Sequence, residues 1–112
     1  MKAKIPVLVF IVLSLAVPAI VSQKESSPTV EITYPPDGSI IKGTITIQVS
    51  TTGCIDVVEF YIDGEFKYAD TIAPFSYTWY GVDQVPGKHK ITVKGYCSGE
   101  FKDDDSITVK VV

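Results

Sequence analysis

The 112-residue chain contains no arginine and no asparagine, and only one histidine, one methionine and one tryptophan. Without Asn there is no N-glycosylation sequon. Without Arg, all ten cations are lysines, against thirteen Asp and Glu. An acidic chain lacking Arg is a poor partner for nucleic acid, which is bound by clustered Lys and Arg that displace counterions. A lone histidine, with no serine in a nucleophile-elbow pattern, offers no catalytic triad. These absences argue against an enzyme and against any cofactor.

Cysteine is also scarce: Cys54 and Cys97 are the only two. They lack the close C-x-x-C spacing and the extra His or Cys of redox and zinc sites. The N-terminus carries a reason to expect a disulfide instead. Lys2 and Lys4 precede a mostly apolar run from Ile5 to Val21, interrupted by Pro6, Ser14 and Pro18. A basic head followed by a hydrophobic stretch is the layout of a secretory signal peptide. Residues 1–22 are therefore expected to be a signal peptide, with a retained membrane anchor as the alternative. Residues 23–28, polar and serine-rich, read as a linker, and 29–112 as the domain. Export to an oxidising compartment favours a Cys54–Cys97 bridge. Closing that loop would stabilise the fold by up to about 4 kcal/mol in the chain-entropy model.

From Thr29 onward the chain alternates apolar and polar residues in short runs separated by turn residues, the period of half-buried strands. Val30 and Ile32 mark the first strand, ended by Pro35-Pro36-Asp37-Gly38. Ile45, Ile47 and Val49 mark the second. The third, Val57 to Ile62, turns at Asp63-Gly64, a pair suited to a tight hairpin, into a fourth from Glu65 to Ala69. Phe75 to Trp79 forms the fifth. His89, Ile91, Val93, Gly95 and Cys97 share one face of the sixth, and Ile107, Val109 and Val111 line the seventh. Seven such strands with no helix beyond the leader predict an all-β fold, a seven-stranded β-sandwich. In it Cys54 and Cys97 fall near the same pole.

Several runs together resemble the bacterial Ig-like domain family. Pro28 to Pro35 with Asp37-Gly38 matches its P-x-V-x-I-x-x-P strand and D-G turn. Val58 to Gly64 matches V-E-F-Y-V-D-G, and Thr71 to Trp79 matches T-x-A-P-Y-S-x-x-W. Gly87, His89, Ile91, Gly95 and Tyr96 match the G-x-H-x-L-x-x-x-A-Y-D segment, with Cys97 in place of the acidic residue. The resemblance implies an immunoglobulin-like sandwich and a non-catalytic extracellular module, secreted or at the cell surface.

Strand parity also selects candidate site residues. Tyr61 and Tyr96 point away from the core on what should be neighbouring strands, with Tyr68 on the hairpin nearby. Such tyrosines suit a sugar face or a protein hot spot, and equally stabilise a sheet as cross-strand pairs. The expected partner is an extracellular protein, with a glycan or a secreted protease to be inhibited as alternatives. No nucleic acid is expected, and a membrane only through an uncleaved N-terminal segment. His89 faces inward and is expected to be a hydrogen-bonded core residue. Asp103-Asp104-Asp105 reads as a solvated loop before the last strand. Asp103 and Asp105 are weak calcium candidates there, with Glu100 or Asp56 nearby.

Overall fold

A computed structural model describes residues 27–112. The expected signal peptide and residues 23–26 of the expected linker lie outside the described residues. The strands are β1 (Thr29–Tyr34), β2 (Ile40–Ile41), β3 (Thr44–Thr52), β4 (Val57–Ile62), β5 (Glu65–Asp70), β6 (Ser76–Tyr80), β7 (Gly87–Cys97) and β8 (Glu100–Val111). A short 3-10 turn, Gly81–Asp83, follows β6.

They form two sheets, one ordered β1-β3-β6 and the other β2-β8-β7-β4-β5. All seven expected strands are present. The two-residue β2 is added, pairing parallel to β8 through Ile40–Lys110 and Ile41–Val111. The last strand starts at Glu100, well before Ile107. The three aspartates thus belong to a strand and not to a loop.

Alternation explains the packing. Along β4, Val58, Phe60 and Ile62 are buried while Val57, Glu59 and Tyr61 are half-buried on the other face. Val30, Ile32, Ile41, Ile47, Val49, Phe75, Trp79, Ile91, Val93, Ile107, Val109 and Val111 complete the core between the sheets. Each such apolar side chain contributes about 1.5–3 kcal/mol on burial. The indole N–H of Trp79 finds no acceptor among the described residues. That costs about 1–3 kcal/mol, which the large apolar area of the ring offsets.

At the β4–β5 hairpin Asp63 and Gly64 have φ of 53° and 84°. Positive φ at both central residues is the signature of a type I′ turn, whose twist matches the flanking strands. Gly95 is required for a different reason. A Cβ there would sit 2.5 Å from Val30 Cγ1 and 3.0 Å from Ile55 Cδ1. Its bareness lets β1 lie across β7.

Candidate functional site

Two irregularities in the five-stranded sheet shape its outer face. The β4–β5 register passes from Phe60↔Tyr68 to Tyr61↔Phe66, skipping Lys67. The β7–β8 register passes from Gly95↔Asp103 to Tyr96↔Phe101, skipping Lys102. A bulge inserts one residue and re-aims its neighbours. Each bulge sets a phenylalanine edge-on against a tyrosine: Tyr61–Phe66 at 5.8 Å and Tyr96–Phe101 at 5.9 Å between ring centroids. Phe66 and Phe101 are 52% and 50% exposed.

Between the two pairs lie Glu59 and Lys94, which are register partners. The Tyr61 hydroxyl donates to Glu59 Oε1 at 2.6 Å, and the Lys94 ammonium stands 4.6 Å above the Tyr61 ring. Donation to a carboxylate favours the neutral phenol, so the Tyr61 pKa is pushed up to about 12, with burial adding to the effect. Burial first, and then Glu59, also raise that of Tyr96. Phe66, Tyr61, the Glu59–Lys94 pair, Tyr96 and Phe101 form a band across four strands. At ~4.8 Å per strand this spans about 14 Å.

Tyr68 is not part of that band. Opposite Phe60 in the register, it stacks on Tyr77 with centroids 5.6 Å apart and planes 19° apart. Tyr77 packs in turn on Phe60 at 5.6 Å. The expected trio is therefore split. Tyr61 and Tyr96 share the outer face through Glu59, and Tyr68 lies at the side of the sandwich, where β5 and β6 end their sheets. A shallow groove of about 390 Å³ opens there, lined by Tyr68, Asp70, Ser76, Tyr77, Thr78 and Tyr80.

Asp103 and Asp105 share the inward parity of Ile107. Val30 N–H donates to Asp103 Oδ2 at 2.9 Å, and Ile32 N–H donates to Asp105 Oδ2 at 2.8 Å. Residues two apart on β1 meet residues two apart on β8, so the carboxylates stand in for a neighbouring strand along the β1 edge. Inward-pointing charges of this kind also block edge-to-edge pairing. The two calcium candidates are thus engaged as acceptors for backbone donors. Asp56 has a similar task, receiving Ser98 N–H at 2.9 Å, and Asp37 receives Thr108 N–H. Sequence reasoning missed this use of aspartate. The signal available to it was the Asp-x-Asp spacing within an alternating run.

The cysteines form the expected disulfide, Cys54–Cys97. Its sulfurs lie near the Asp56 carboxylate, but bonded sulfurs are neither thiolate ligands nor nucleophiles. His89 is a hydrogen-bonded inward residue, its side chain 10% exposed. Nδ1 is 2.6 Å from Asp63 Oδ2 and Nε2 is 2.6 Å from the Val85 carbonyl oxygen. Both partners only accept, so the two contacts are satisfied together only by the doubly protonated imidazolium. The Val85 carbonyl and then Asp63 hold its pKa above the usual 6.5, against the pull of burial. Burial pushes Asp63 up, but the Lys90 N–H and His89 outweigh it and hold the carboxyl below 3.8.

The profile of the bacterial Ig domain family matches residues 28–93. The chain belongs to that family. No curated protein matches it. Among solved structures, this bacterial Ig domain is similar to a fibronectin(III)-like module of CbhA from Clostridium thermocellum. The two are 29% identical at a TM-score of 0.64, over 73% of this chain and 94% of that one. It also resembles part of the endo-β-1,4-mannanase of Thermotoga petrophila, at 17% identity and a TM-score of 0.66, over 80% of this chain and 21% of the enzyme. A third likeness is to β-glucuronidase 3 of Bacteroides uniformis, at 20% identity and a TM-score of 0.59, over 78% of this chain and 12% of that one. The last two show the fold alone. Domains of this type are usually non-catalytic. The family match stops at Val93, so Cys97, the β7–β8 bulge, Phe101 and the inward aspartates of this Ig domain lie beyond it.

Proposed function

We propose that the chain is an exported, non-catalytic Ig-like module that binds a partner protein, at a cell surface or elsewhere outside the cytoplasm, through the outer face of its five-stranded sheet. The observation that carries this reading is the band of Phe66, Tyr61, Tyr96 and Phe101 around the Glu59–Lys94 pair. Aromatic anchors flanking a small polar centre are the composition of protein hot spots. The rings are held by edge contacts and by Glu59, so little side-chain freedom is lost on docking. The disulfide supports an oxidising compartment.

The test is capture from the producing cell's envelope fraction with oxidised protein as bait. A specific partner should be retained by wild type and by Tyr80→Ala, whose side chain lies outside the band, and lost with Phe66→Ala/Phe101→Ala. A partner captured equally by all three baits would refute the outer-face reading.

A further inference from the structure

The ladder Phe60–Tyr77–Tyr68 takes no part in the outer band. It runs from a fully buried ring, through a half-buried one, to a ring 46% exposed. Its outer end lines the groove between the free edges of β5 and β6. We propose that this groove binds a neutral oligosaccharide, with Tyr68 and Tyr80 as stacking platforms and Asp70, Ser76 and Thr78 as hydrogen-bonding partners of sugar hydroxyls.

Three features of the groove select that ligand class. First, Tyr68 is backed by Tyr77, which is backed by the core, so its outward side is a pre-oriented flat surface. A pyranose ring presents a C–H face to such a surface and a rim of hydroxyls around it. Second, the polar groups beside the rings are also fixed in place. Asp70 Oδ1 accepts the Ile72 N–H at 3.1 Å, and Oδ2 accepts the Ser76 N–H at 2.9 Å. A carboxylate has about four acceptor sites in all, so each oxygen keeps capacity for a sugar hydroxyl. Third, the charged residue lining the groove is an aspartate. A uronate, phosphate or sulfated sugar would meet that like charge at close range. A second hollow of about 240 Å³, lined by Thr33, Thr46 and Gln48 among others, also has Ser76 in its wall. Ser76 thus places further polar side chains beside the groove, which favours an oligosaccharide over a monosaccharide.

The groove and the outer band use different residues, so each proposal stands or falls alone. The probes are cellohexaose, mannohexaose and xylohexaose, with polygalacturonate as the charged comparator, read by isothermal titration calorimetry. At least one neutral hexaose should bind the oxidised full-length protein. Tyr68→Ala and Tyr80→Ala should each weaken it about tenfold, while Tyr68→Phe and Tyr61→Ala leave it within about twofold. Tyr80 is 55% exposed, so its alanine variant should keep the wild-type melting temperature, which separates loss of binding from loss of fold. Amide shifts on titration should concentrate in Ser76–Tyr80. The proposal is overturned if no neutral hexaose binds, if polygalacturonate binds in preference, if binding survives both alanine variants, or if it requires Tyr61.

Discussion

The central strand pair of the larger sheet, β4 with β7, is pinned at both ends by very different links. At one pole Cys54, just before β4, is bonded to Cys97 at the end of β7. There Asp56 adds its N–H to Tyr96 O and its carboxylate to Ser98 N–H. At the other pole Asp63, just after β4, reaches the start of β7. Its N–H donates to Lys90 O, and its carboxylate accepts from Lys90 N–H and from His89. The first link is covalent and answers to redox conditions. The second is ionic and answers to pH. An aspartate on the backbone is common to both poles. What the disulfide adds is a constraint on the unfolded chain, which no folded-state hydrogen bond supplies.

Cutting the covalent pole should have the largest effect. Cys54→Ala/Cys97→Ala is expected to lose up to about 4 kcal/mol, as the chain-entropy model gives for a loop this long. Urea denaturation of the variant and of the reduced wild type should show the same loss. A loss under about 1 kcal/mol would mean that the pole is held without the bridge.

At the ionic pole, His89→Ala leaves the Asp63 carboxylate with Lys90 N–H alone, takes the ring donor from the Val85 carbonyl, and opens space beside Trp79, whose ring is 6.0 Å from that of His89. A loss of about 2–3 kcal/mol is expected. The pH dependence has a definite sign. His89 is raised above 6.5, so its contribution is complete below that value and fades as pH rises through the folded-state pKa. Asp63 is lowered below 3.8, so its contribution is complete above that value and fades as pH falls through its folded pKa. The link is strongest between the two. Wild-type melting temperature should therefore drop on going from about pH 6 to about pH 8.5 by more than that of His89→Gln. Parallel curves for the two proteins would contradict an imidazolium at this position.

The next effect is smaller and tests a link between the sheets. Asp103→Ala and Asp105→Ala each leave one β1 N–H without its acceptor, at about 1–2 kcal/mol apiece. Amide exchange at Val30 and Ile32 should quicken selectively. If exchange there is unchanged, the carboxylates do not hold the β1 edge.

The smallest change in stability is expected midway between the poles, with Glu59→Gln, at under about 0.5 kcal/mol. Its readout is spectroscopic. Absorbance at ~295 nm should show Tyr61 ionising at lower pH than in wild type once the carboxylate is gone. Tyr61 is raised above the ordinary 10.0, so wild type should lose stability as pH climbs from that value toward about 12.

Local alternation was enough to locate seven strands and the buried faces of β4 and β7 and to set His89 inward, but it missed the two-residue β2 and the start of β8 at Glu100. What it located follows from a two-residue period that each segment carries within itself. The fate of the tyrosines was not legible in this way. Parity along the third strand and along the sixth put Tyr61 and Tyr96 outward, as found. Which residue joins them depends on bulges at Lys67 and Lys102, and a bulge shifts facing by one residue without leaving a local mark in composition. Phe66 and Phe101 therefore entered the band, and Tyr68 went to the groove.

The same division holds for the acidic residues. The sequence by itself determined that Asp103 and Asp105 face one way and Asp104 the other, because side chains alternate along an extended chain. Only the tertiary structure decided what they face, because the β1 donors come from 73 residues earlier and arrive when the two sheets close. A charged run reads as solvent-seeking until a distant backbone edge with unpaired N–H groups is laid against it.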